Sequence, residues 1–309
     1  MDENGKQQAH RGSSSALLPT LAVLAAMFFW GLSFVSSKAI LNTGFPPLTM
    51  VFLRFLIASV VLVLLQRRMH PGFRLRRQDR LYVVLSALFG VFLYFVCESR
   101  GIKFTSASNA ALITAIIPAL TVAAEYLFYR NLVRWYQAIG IALSILGVYF
   151  VVQRTPGNYD QPLLGNLLMF GACFSWVAYN IFSKNLHQGL SGVSLTTYQS
   201  VIGAAMLLPL ALSEYRAWSF SSTVVWLNLL YLGLVCTALS FFLYLFALSR
   251  LGPVRVTSFI NLVPVISVAG GMVILGEELL PAQMLGGLAI LLGVFLVNLQ
   301  RRIGTPARG

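Results

Sequence analysis

Charged side chains are scarce in this sequence. Asp, Glu, Lys and Arg together make up 10% of its 309 residues, whereas apolar residues make up 58%. With a mean hydropathy of +0.78, the chain cannot surround its core with the ordinary polar surface of a water-soluble globule. The composition therefore excludes a soluble protein and predicts an integral membrane protein, with the lipid bilayer as its surroundings.

Acidic residues are scarcer than basic ones, 9 against 22, which gives a net charge of +13. An excess of this size could indicate nucleic-acid binding. The basic residues, however, lie in short loops between apolar segments and not on amphipathic or aromatic-interleaved stretches. Membrane topology explains such a distribution better, so no nucleic-acid partner is predicted.

Residues with metal-binding or nucleophilic side chains are few. The three cysteines lie within apolar segments, and their spacing suits neither a disulfide framework nor a metal site. The three histidines are isolated in tails and loops, and the sequence has no Walker loop and no dinucleotide fingerprint. No catalytic residue, metal site or cofactor is predicted, and neither an enzyme nor an ATP-driven pump is favoured. The residues concerned are Cys97, Cys173, Cys236, His10, His70 and His187.

Ten apolar segments are long enough to cross a bilayer as helices, which takes about 20 residues. Their connections are short, and irregular backbone cannot face lipid, so the sequence predicts an all-α, polytopic membrane protein with ten transmembrane helices and no soluble domain. Residues 1–16 contain no apolar stretch of a cleaved signal, and they and residues 301–309 are predicted to be cytoplasmic tails. The segments cover residues 17–41, 47–66, 81–102, 105–128, 134–152, 163–184, 194–212, 224–248, 254–275 and 282–300.

One of these segments occurs twice. Leu17–Lys38 returns 146 positions later as Leu163–Lys184, and eight of the 22 aligned residues are identical without a gap, among them Trp30 and Trp176. The chain is therefore one five-helix unit written twice, with repeats at 17–152 and 163–300. The same offset aligns further identical pairs, namely Pro118/Pro264, Gln137/Gln283, Gly140/Gly286, Gly147/Gly293 and Val148/Val294.

Basic residues also indicate how the chain is oriented. The side that holds the amino terminus collects sixteen Lys and Arg residues in tails and loops, and the other side collects four. The bias predicts that both termini are cytoplasmic, in the cell membrane. Because each repeat has an odd number of spans, the second repeat enters the membrane from the side opposite to the first. Inverted repeats are the architecture of alternating-access transporters.

Four stretches of the sequence are typical of one transporter family. They are Trp30-Gly31, Pro46–Ala58, Glu98–Glu125 and Leu262–Val294. In them the chain resembles the EamA family of the drug/metabolite transporter superfamily. The resemblance implies a ten-helix secondary transporter that moves small metabolites, such as amino acids, across the cell membrane by alternating access, in the direction of export.

One departure from the family pattern concerns the loop after the fourth span. The first repeat has Arg130-Asn131-Leu132 at this place, and the 146-residue offset aligns these residues with Gly276-Glu277-Glu278 of the second repeat. The usual acidic residue is missing from the first copy. No shared role is therefore assigned to this loop.

Two other functions remain open beside coupled transport. A facilitator of the same fold would move its small-molecule substrate without a coupled ion. A membrane-embedded enzyme or an assembly factor would keep the fold and transport nothing, but the sequence has no cluster of catalytic residues and no sizeable extramembrane docking surface. Transport is the favoured prediction.

Five charged residues lie within the predicted spans, where a charge is costly and therefore marks a candidate site. They are Lys38, Arg54, Glu98, Glu125 and Lys184. Arg54 and Glu98 are predicted to form an ion pair whose making or breaking accompanies opening, with Glu98 as the proton carrier if transport is coupled to protons. In the alternative, Arg54 and Lys38 only snorkel to the outer headgroups, and Glu98 neutralises one of them. Glu125 and Lys184 are predicted to lock the inner end as a second pair.

Prolines occupy the middle of two equivalent spans. Pro118 and Pro264 each remove a backbone hydrogen bond and free the carbonyl groups of Thr114 and Ile260. Kinks at matching places in inverted repeats suit hinges beside a central cavity. The alternative is a fixed kink that only shapes packing.

Polar and aromatic residues at mid-depth are the candidates for binding substrate. Asn and Gln in hydrocarbon need partners, so they are expected to face the bundle interior or a cavity, and aromatic walls suit apolar or aromatic solutes. For each residue alone, an interhelical hydrogen bond or core packing is the alternative. The candidates are Trp30, Ser33, Asn109, Thr114, Trp176, Tyr179, Asn180, Tyr198, Gln199, Tyr244 and Asn261.

Small residues recur in the fifth and tenth spans. They permit close helix approach, either between these two spans or between two copies of the chain in a homodimer. The residues are Gly140, Ser144 and Gly147, echoed by Gly286, Ala289 or Ile290, and Gly293.

Overall fold

The structure, a computed structural model, describes residues 3–72, 75–130, 133–153, 157, 159–184, 190–251, 256 and 259–298, with side chains from Leu17 onwards except those of Tyr129 and Lys184. Its helices form one bundle. They are α1 (Glu3–Asn42), α2 (Pro47–Met69), α3 (Arg80–Phe104), α4 (Ala107–Thr114 and Ile117–Tyr129), α5 (Trp135–Val152), α6 (Pro162–Lys184), α7 (Gly192–Ser213), α8 (Thr223–Leu251), α9 (Phe259–Leu275) and α10 (Pro281–Asn298).

The all-α fold is confirmed, and each predicted span corresponds to one helix. Within the described residues, nine helices are long and apolar enough to cross a membrane, α9 is a shorter apolar helix, and no β-strand is present. Helix α1 begins at Glu3, within the predicted tail, and only its part from Leu17 onwards is apolar. Residues 252–255, where the ninth span is predicted to begin, lie outside the described residues, as does the tail 301–309.

The two five-helix repeats pack as inverted copies. Helix α1 packs against α8 and α9, and its counterpart α6 packs against α3 and α4. Helix α2 contacts α8, as its counterpart α7 contacts α3, and α2 and α7 also contact each other. Two groups of four helices result. One contains α1, α2, α8 and α9, the other contains α3, α4, α6 and α7, and α5 pairs with α10 beside them.

Glycines set the distance between α5 and α10. A Cβ atom on Gly140 would lie 2.5 Å from the carbonyl oxygen of Gly293, and one on Gly147 would lie 2.5 Å from that of Gly286. No side chain fits into such a distance, so the two helices touch through bare backbone. The small residues therefore serve a contact within the chain, which is one of the two alternatives that the sequence leaves open.

Replacing Gly147 by leucine is expected to force α5 and α10 apart. Overpacking of this kind costs about 1–3 kcal/mol, so the melting temperature of the detergent-solubilised protein should fall by several degrees. Ala142→Leu, on the exposed face of the same helix, is the matched control and should melt like the wild type. Equal melting temperatures for the two variants would contradict the close contact.

The third and eighth helices each contain a π-helical segment. Leu88–Leu93 in α3 and Tyr231–Leu239 in α8 overlap when the 146-residue offset of the repeats is applied. In α8 the hydroxyls of Thr237 and Ser240 donate to the carbonyl oxygens five residues earlier. Segments of this type are frequent at functional sites. The π segments therefore occupy matching positions in α3 and α8, which are equivalent helices of the two repeats.

Both helices that contain the mid-span prolines are irregular. Helix α4 is interrupted at residues 115–116, just before Pro118. In α9 a short 3₁₀ segment, Phe259–Asn261, precedes the α-helical part that contains Pro264. The interruptions occupy equivalent places in the repeats, next to the carbonyl groups that proline is expected to free. A role as hinges stays a prediction.

Candidate functional site

Lys38, on α1, closes the end of α3. This is the end of the bundle at which α1 ends and α2 begins, here termed the predicted outer end. The ammonium group donates to the carbonyl oxygens of Ile102 (2.8 Å) and Thr105 (2.6 Å). A cation at this place offsets the negative partial charge of the helix terminus. Because the side chain is only 4% exposed, the alternative in which Lys38 snorkels to the headgroups is wrong.

The ring of Tyr159, in the loop before α6, covers the ammonium group of Lys38. The nitrogen lies 4.4 Å from the ring centroid, within the range of a cation–π contact. Partial burial, and secondarily the charge of Glu277, raises the pKa of Tyr159 to about 12. The hydroxyl therefore stays protonated at physiological pH, and the ring remains a neutral partner for the cation.

Glu277, which follows α9, caps the amino end of α4. One carboxylate oxygen accepts a hydrogen bond from the backbone N–H of Ala107 (2.7 Å), and the other accepts from the backbone N–H (2.9 Å) and the hydroxyl (2.6 Å) of Ser108. A carboxylate here satisfies free N–H groups and the positive end of the helix dipole. The sequence shows Glu277 in this loop, but the candidate site residues predicted from it do not include Glu277. The available signal is Gly276, whose left-handed backbone (φ 65°) ends α9 directly before it.

A second carboxylate has the same role at α2. Glu214, which follows α7, accepts hydrogen bonds from the backbone N–H (2.8 Å) and the hydroxyl (3.0 Å) of Thr49. The indole N–H of Trp218 donates to the same hydroxyl at 2.8 Å. The contacts of Lys38, Glu214 and Glu277 each join one four-helix group to the other. We call these three contacts the outer clamp.

Asn109 takes part in a hydrogen-bonded network beside the outer clamp. Its amide donates to Asn166 (2.7 Å) and Thr105 (3.1 Å), and its carbonyl oxygen accepts from Gln283 (3.2 Å). The residue is fully buried in the first turn of α4, because the turn into that helix ends at Ser106. The predicted mid-depth position is therefore wrong. The placement favours the alternative of an interhelical hydrogen bond over contact with substrate.

Trp30 is the centre of an aromatic cluster between α1 and α8. Its ring centroid lies 5.4 Å from that of Phe241 and 5.3 Å from that of Tyr244. Its indole N–H donates to the carbonyl oxygen of Cys236, within the π segment of α8, at 2.9 Å. Trp30 and Tyr244 are half-buried, so their rings keep some accessible surface. We call these residues the Trp30 cluster.

Trp176, the counterpart of Trp30, is the centre of a second cluster between α3 and α6. Its ring contacts those of Tyr94 and Tyr179, with centroid distances of 4.9 and 4.8 Å. Tyr179 packs so closely on α3 that a Cβ atom on Gly90 would overlap its ring. This is the Trp176 cluster. The structure thus places four of the predicted aromatic candidates in two equivalent groups.

The polar candidates divide by burial. Ser33 and Gln199 are buried and make hydrogen bonds within the protein at 2.7 and 2.9 Å. Thr114, Asn180 and Asn261 are half-buried, and Thr114 and Asn261 lie at the interruptions of α4 and α9. Thr114 and Asn180 also donate hydrogen bonds within the protein, at 2.9 and 3.4 Å, so what distinguishes the half-buried residues is the surface that a solute can reach.

Tyr198 lies at a groove of its own. It lines a groove of about 490 Å³ between α2 and α7, near the predicted inner end, together with Gln66, Arg67 and His70. Helical register gives the depth of a side chain within a span but not the direction in which it points. For this reason the sequence alone groups Tyr198 with candidates that line other parts of the bundle.

Arg54 and Glu98 are buried beside the Trp176 cluster, 7% and 6% exposed. Arg54 donates its Nε–H to the hydroxyl of Thr237 (3.1 Å), and its guanidinium carbon lies 4.7 Å from the ring centroid of Phe95. Glu98 accepts from the hydroxyl of Tyr94 at 3.2 Å. No hydrogen bond or ion pair between the two charges is among the contacts of the described residues, so the predicted pair is not formed in this conformation. Their burial excludes snorkelling of Arg54.

The second predicted pair lies partly outside the described side chains. Glu125, near the end of α4, is half-buried and interacts with another residue. The side chain of Lys184 is not among those described. A lock at the predicted inner end therefore stays a prediction.

Comparison with known proteins gives the family. Residues 17–153 and 163–299 match the EamA-like transporter family. A Bacillus subtilis (strain 168) protein named "Uncharacterized transporter YetK" is 28% identical over 289 residues, which are 91% of this chain and 87% of that protein. A Salmonella typhimurium protein named "Probable amino-acid metabolite efflux pump" is 29% identical over 295 residues, 92% of this chain and 96% of that protein.

One solved crystal structure superposes on 95% of this chain and 99% of its own, with a TM-score of 0.62 at 18% sequence identity. At this identity the likeness shows a shared fold. The family match is stronger, because it covers one stretch in each repeat of an inverted ten-helix bundle. On that match, this chain belongs to the EamA-like transporter family.

Proposed function

We propose that this chain exports a small metabolite, an amino acid or a related compound, across the cell membrane by alternating access, with both termini in the cytoplasm. The observation that carries the proposal is the outer clamp, in which charged side chains join the two helix groups at the predicted outer end. The Salmonella relative, named for the efflux of amino-acid metabolites, supports the choice of substrate class.

The outer clamp has the chemistry of a gate that opens. Its partners are backbone N–H groups at the starts of α2 and α4 and carbonyl groups at the end of α3. Water can satisfy all of these groups once they are exposed, so breaking the clamp costs far less than separating packed apolar surfaces. Rotation of one helix group against the other would open the predicted outer end and close the opposite end.

The half-buried residues beyond the clamp are the proposed path of the substrate. The Trp30 and Trp176 clusters supply aromatic surface from both repeats, and the interruptions of α4 and α9 supply polar groups at Thr114 and Asn261. Pockets for small molecules commonly combine apolar walls with a few polar groups of this kind. Since equivalent residues come from inverted repeats, the same surface can face either side in turn.

Cells that overproduce the protein are expected to resist toxic amino acids or amino-acid analogues. Export lowers the internal concentration of the toxic compound, so growth should continue at concentrations that stop cells carrying the empty vector. The measurement is growth across a panel of amino acids, analogues and drugs, with an unrelated membrane protein at matched expression as control. Protection against drugs alone, or against nothing, would contradict amino-acid export.

A facilitator without a coupled ion is the second candidate. Purified protein in liposomes separates the two mechanisms, because a proton-coupled transporter should move the protective compound faster when a pH gradient is imposed. Glu98 is the proposed proton carrier, because its carboxyl group is buried and can release and take up a proton. Equal flux with and without the gradient would favour the facilitator.

A further inference from the structure

Arg54 is buried with most of its hydrogen-bonding capacity unused. An arginine side chain has five N–H donors. In the described part of the chain, Arg54 uses one of them, the Nε–H that donates to Thr237, while its guanidinium carbon lies 4.7 Å from the ring centroid of Phe95. Its terminal nitrogens meet no acceptor among the described residues, and only 7% of the residue is exposed. These N–H groups have the fork geometry that binds a carboxylate with two parallel hydrogen bonds.

Glu98 is the complementary case. Its carboxylate accepts one hydrogen bond, from the hydroxyl of Tyr94, and only 6% of the residue is exposed. A carboxylate has room for about four donors. No basic side chain of the described residues forms an ion pair with it. A buried anion with one neutral partner is able to bind an ammonium group.

The two charges lie close to each other without contact. The guanidinium of Arg54 contacts the ring of Phe95, which is three positions before Glu98 on α3. The ring centroid of Phe95 lies 4.8 Å from that of Tyr94, the residue that donates to Glu98. At a rise of about 1.5 Å per residue, both charged residues lie roughly 10 Å below the helix ends held by the outer clamp. They are therefore on the route that opening of the clamp would uncover.

The second repeat shows that the fold does not need these charges. The positions 146 residues after Arg54 and Glu98 hold Ser200 and Tyr244. The equivalent helices α7 and α8 pack in the same architecture with these uncharged residues. A buried charge in a membrane protein that packing does not require indicates a functional site.

We propose that Arg54 and Glu98 together bind the zwitterionic head of an α-amino acid. The guanidinium of Arg54 takes the carboxylate, and Glu98, held by Tyr94, takes the ammonium group. The inference rests on the proposed export function and assigns it a binding site. Two opposite charges that are buried in the same part of the bundle, and that form no pair with each other among the described residues, match a ligand that carries both charges. A solute with one charge leaves one of the residues without a partner, which is the source of selectivity.

Binding to the purified full-length protein tests the site. The probes are L-phenylalanine, L-leucine and L-threonine, each compared with its N-acetyl derivative, which has only the carboxylate, and its amide, which has only the ammonium group. The wild type should bind at least one of the amino acids roughly 10-fold or more tightly than either derivative, since each derivative lacks one charge-assisted contact. Titration calorimetry measures the dissociation constants.

Two variants assign the charges to the two residues. Arg54→Gln should weaken binding of the amino acid and leave binding of the amide unchanged, because the amide makes no use of Arg54. Glu98→Gln should weaken binding of the amino acid and leave that of the N-acetyl derivative unchanged. If the two residues had a purely structural role, each variant would bind the amino acid, its amide and its N-acetyl derivative more weakly. Ser200→Ala, at the position equivalent to Arg54, is the matched control and should bind like the wild type.

Two results overturn the inference: equal affinity of the wild type for an amino acid and its derivatives, and binding of none of the compounds. Arg54→Lys and Glu98→Asp replace the glutamine variants if these do not fold, and they should keep the preference for the zwitterion at reduced affinity. The inference would also be overturned if Ser200→Ala lost the preference for the zwitterion while the Arg54 and Glu98 variants kept it. Failure of the export proposal looks different, because the protein would then select zwitterions while overproducing cells gain no protection.

Discussion

Glu277→Ala is expected to lower the melting temperature of the purified protein by several degrees and to admit water at the predicted outer end. The carboxylate accepts three hydrogen bonds at the start of α4, from Ala107 and Ser108. Without it, N–H groups at the positive end of the helix lose their acceptor, which costs about 2 kcal/mol. The loss falls on the closed conformation, because the same groups are hydrated when the end is open.

The measurements are the melting temperature and the alkylation rate of a single cysteine placed at Ser36, a buried residue of α1 (5% exposed). The alkylation rate should rise in Glu277→Ala. Glu277→Gln keeps one acceptor oxygen and should fall between the wild type and the alanine variant. Glu278→Ala, at the exposed neighbour, is the control and should change neither quantity. If the two alanine variants behave alike, Glu277 is not part of a gate.

Lys38→Met should destabilise the protein more than the loss of an exposed lysine does. Methionine keeps much of the volume of the side chain but donates no hydrogen bond, so the carbonyl groups of Ile102 and Thr105 lose their donor in a buried place. Two unsatisfied carbonyl groups cost about 3 kcal/mol together. The expected result is a lower melting temperature and a lower yield of folded protein.

Lys103→Met is the control for this variant. Lys103 directly follows Ile102 in the sequence, but its side chain is exposed. It should melt like the wild type. Lys38→Arg keeps the charge and should recover part of the lost stability. Equal melting temperatures for Lys38→Met and Lys103→Met would show that the hydrogen bonds from Lys38 to the end of α3 do not stabilise the protein.

The bundle was predictable because its causes are local in the sequence. Apolar segments of sufficient length give the helices, and the return of Leu17–Lys38 as Leu163–Lys184 gives the repeat. The cost of burying charge marked Arg54 and Glu98 as candidates, and the structure shows both buried. What the sequence could not tell is that, in the part of the chain that the structure describes, the two residues do not pair with each other.

The outer clamp could not be read from the sequence, because its partners are backbone groups. Lys38 donates to backbone carbonyl oxygens, and Glu277 accepts from backbone N–H groups. Such groups are common to nearly all residue types, so the sequence does not show which of them will be partners. Their identity depends on which helix end lies next to which loop, a property of the packed bundle. Asn109 illustrates the same limit, since its partners Asn166 and Gln283 come from the other repeat.

The π segments of α3 and α8 also left no signal in the hydropathy pattern. One extra residue in a helix turns the side chains that follow it but keeps the segment apolar. In α8 that turn accompanies the hydrogen bond from Trp30 to Cys236 and the one from Arg54 to Thr237. The matching segment in α3 lies directly before Tyr94 and Glu98.

The central claim is that the predicted outer end must open during transport, and a reversible crosslink across it tests this most directly. A Cβ atom on Gly271 of α9 would lie 2.5 Å from the hydroxyl oxygen of Ser108 on α4, so cysteines at these two positions are close enough for a disulfide. The double variant, in a background without Cys97, Cys173 and Cys236, should stop transporting when oxidised and resume when reduced, while the transport rate of each single variant should not depend on oxidation. Full transport by the completely crosslinked protein would contradict alternating access through this end.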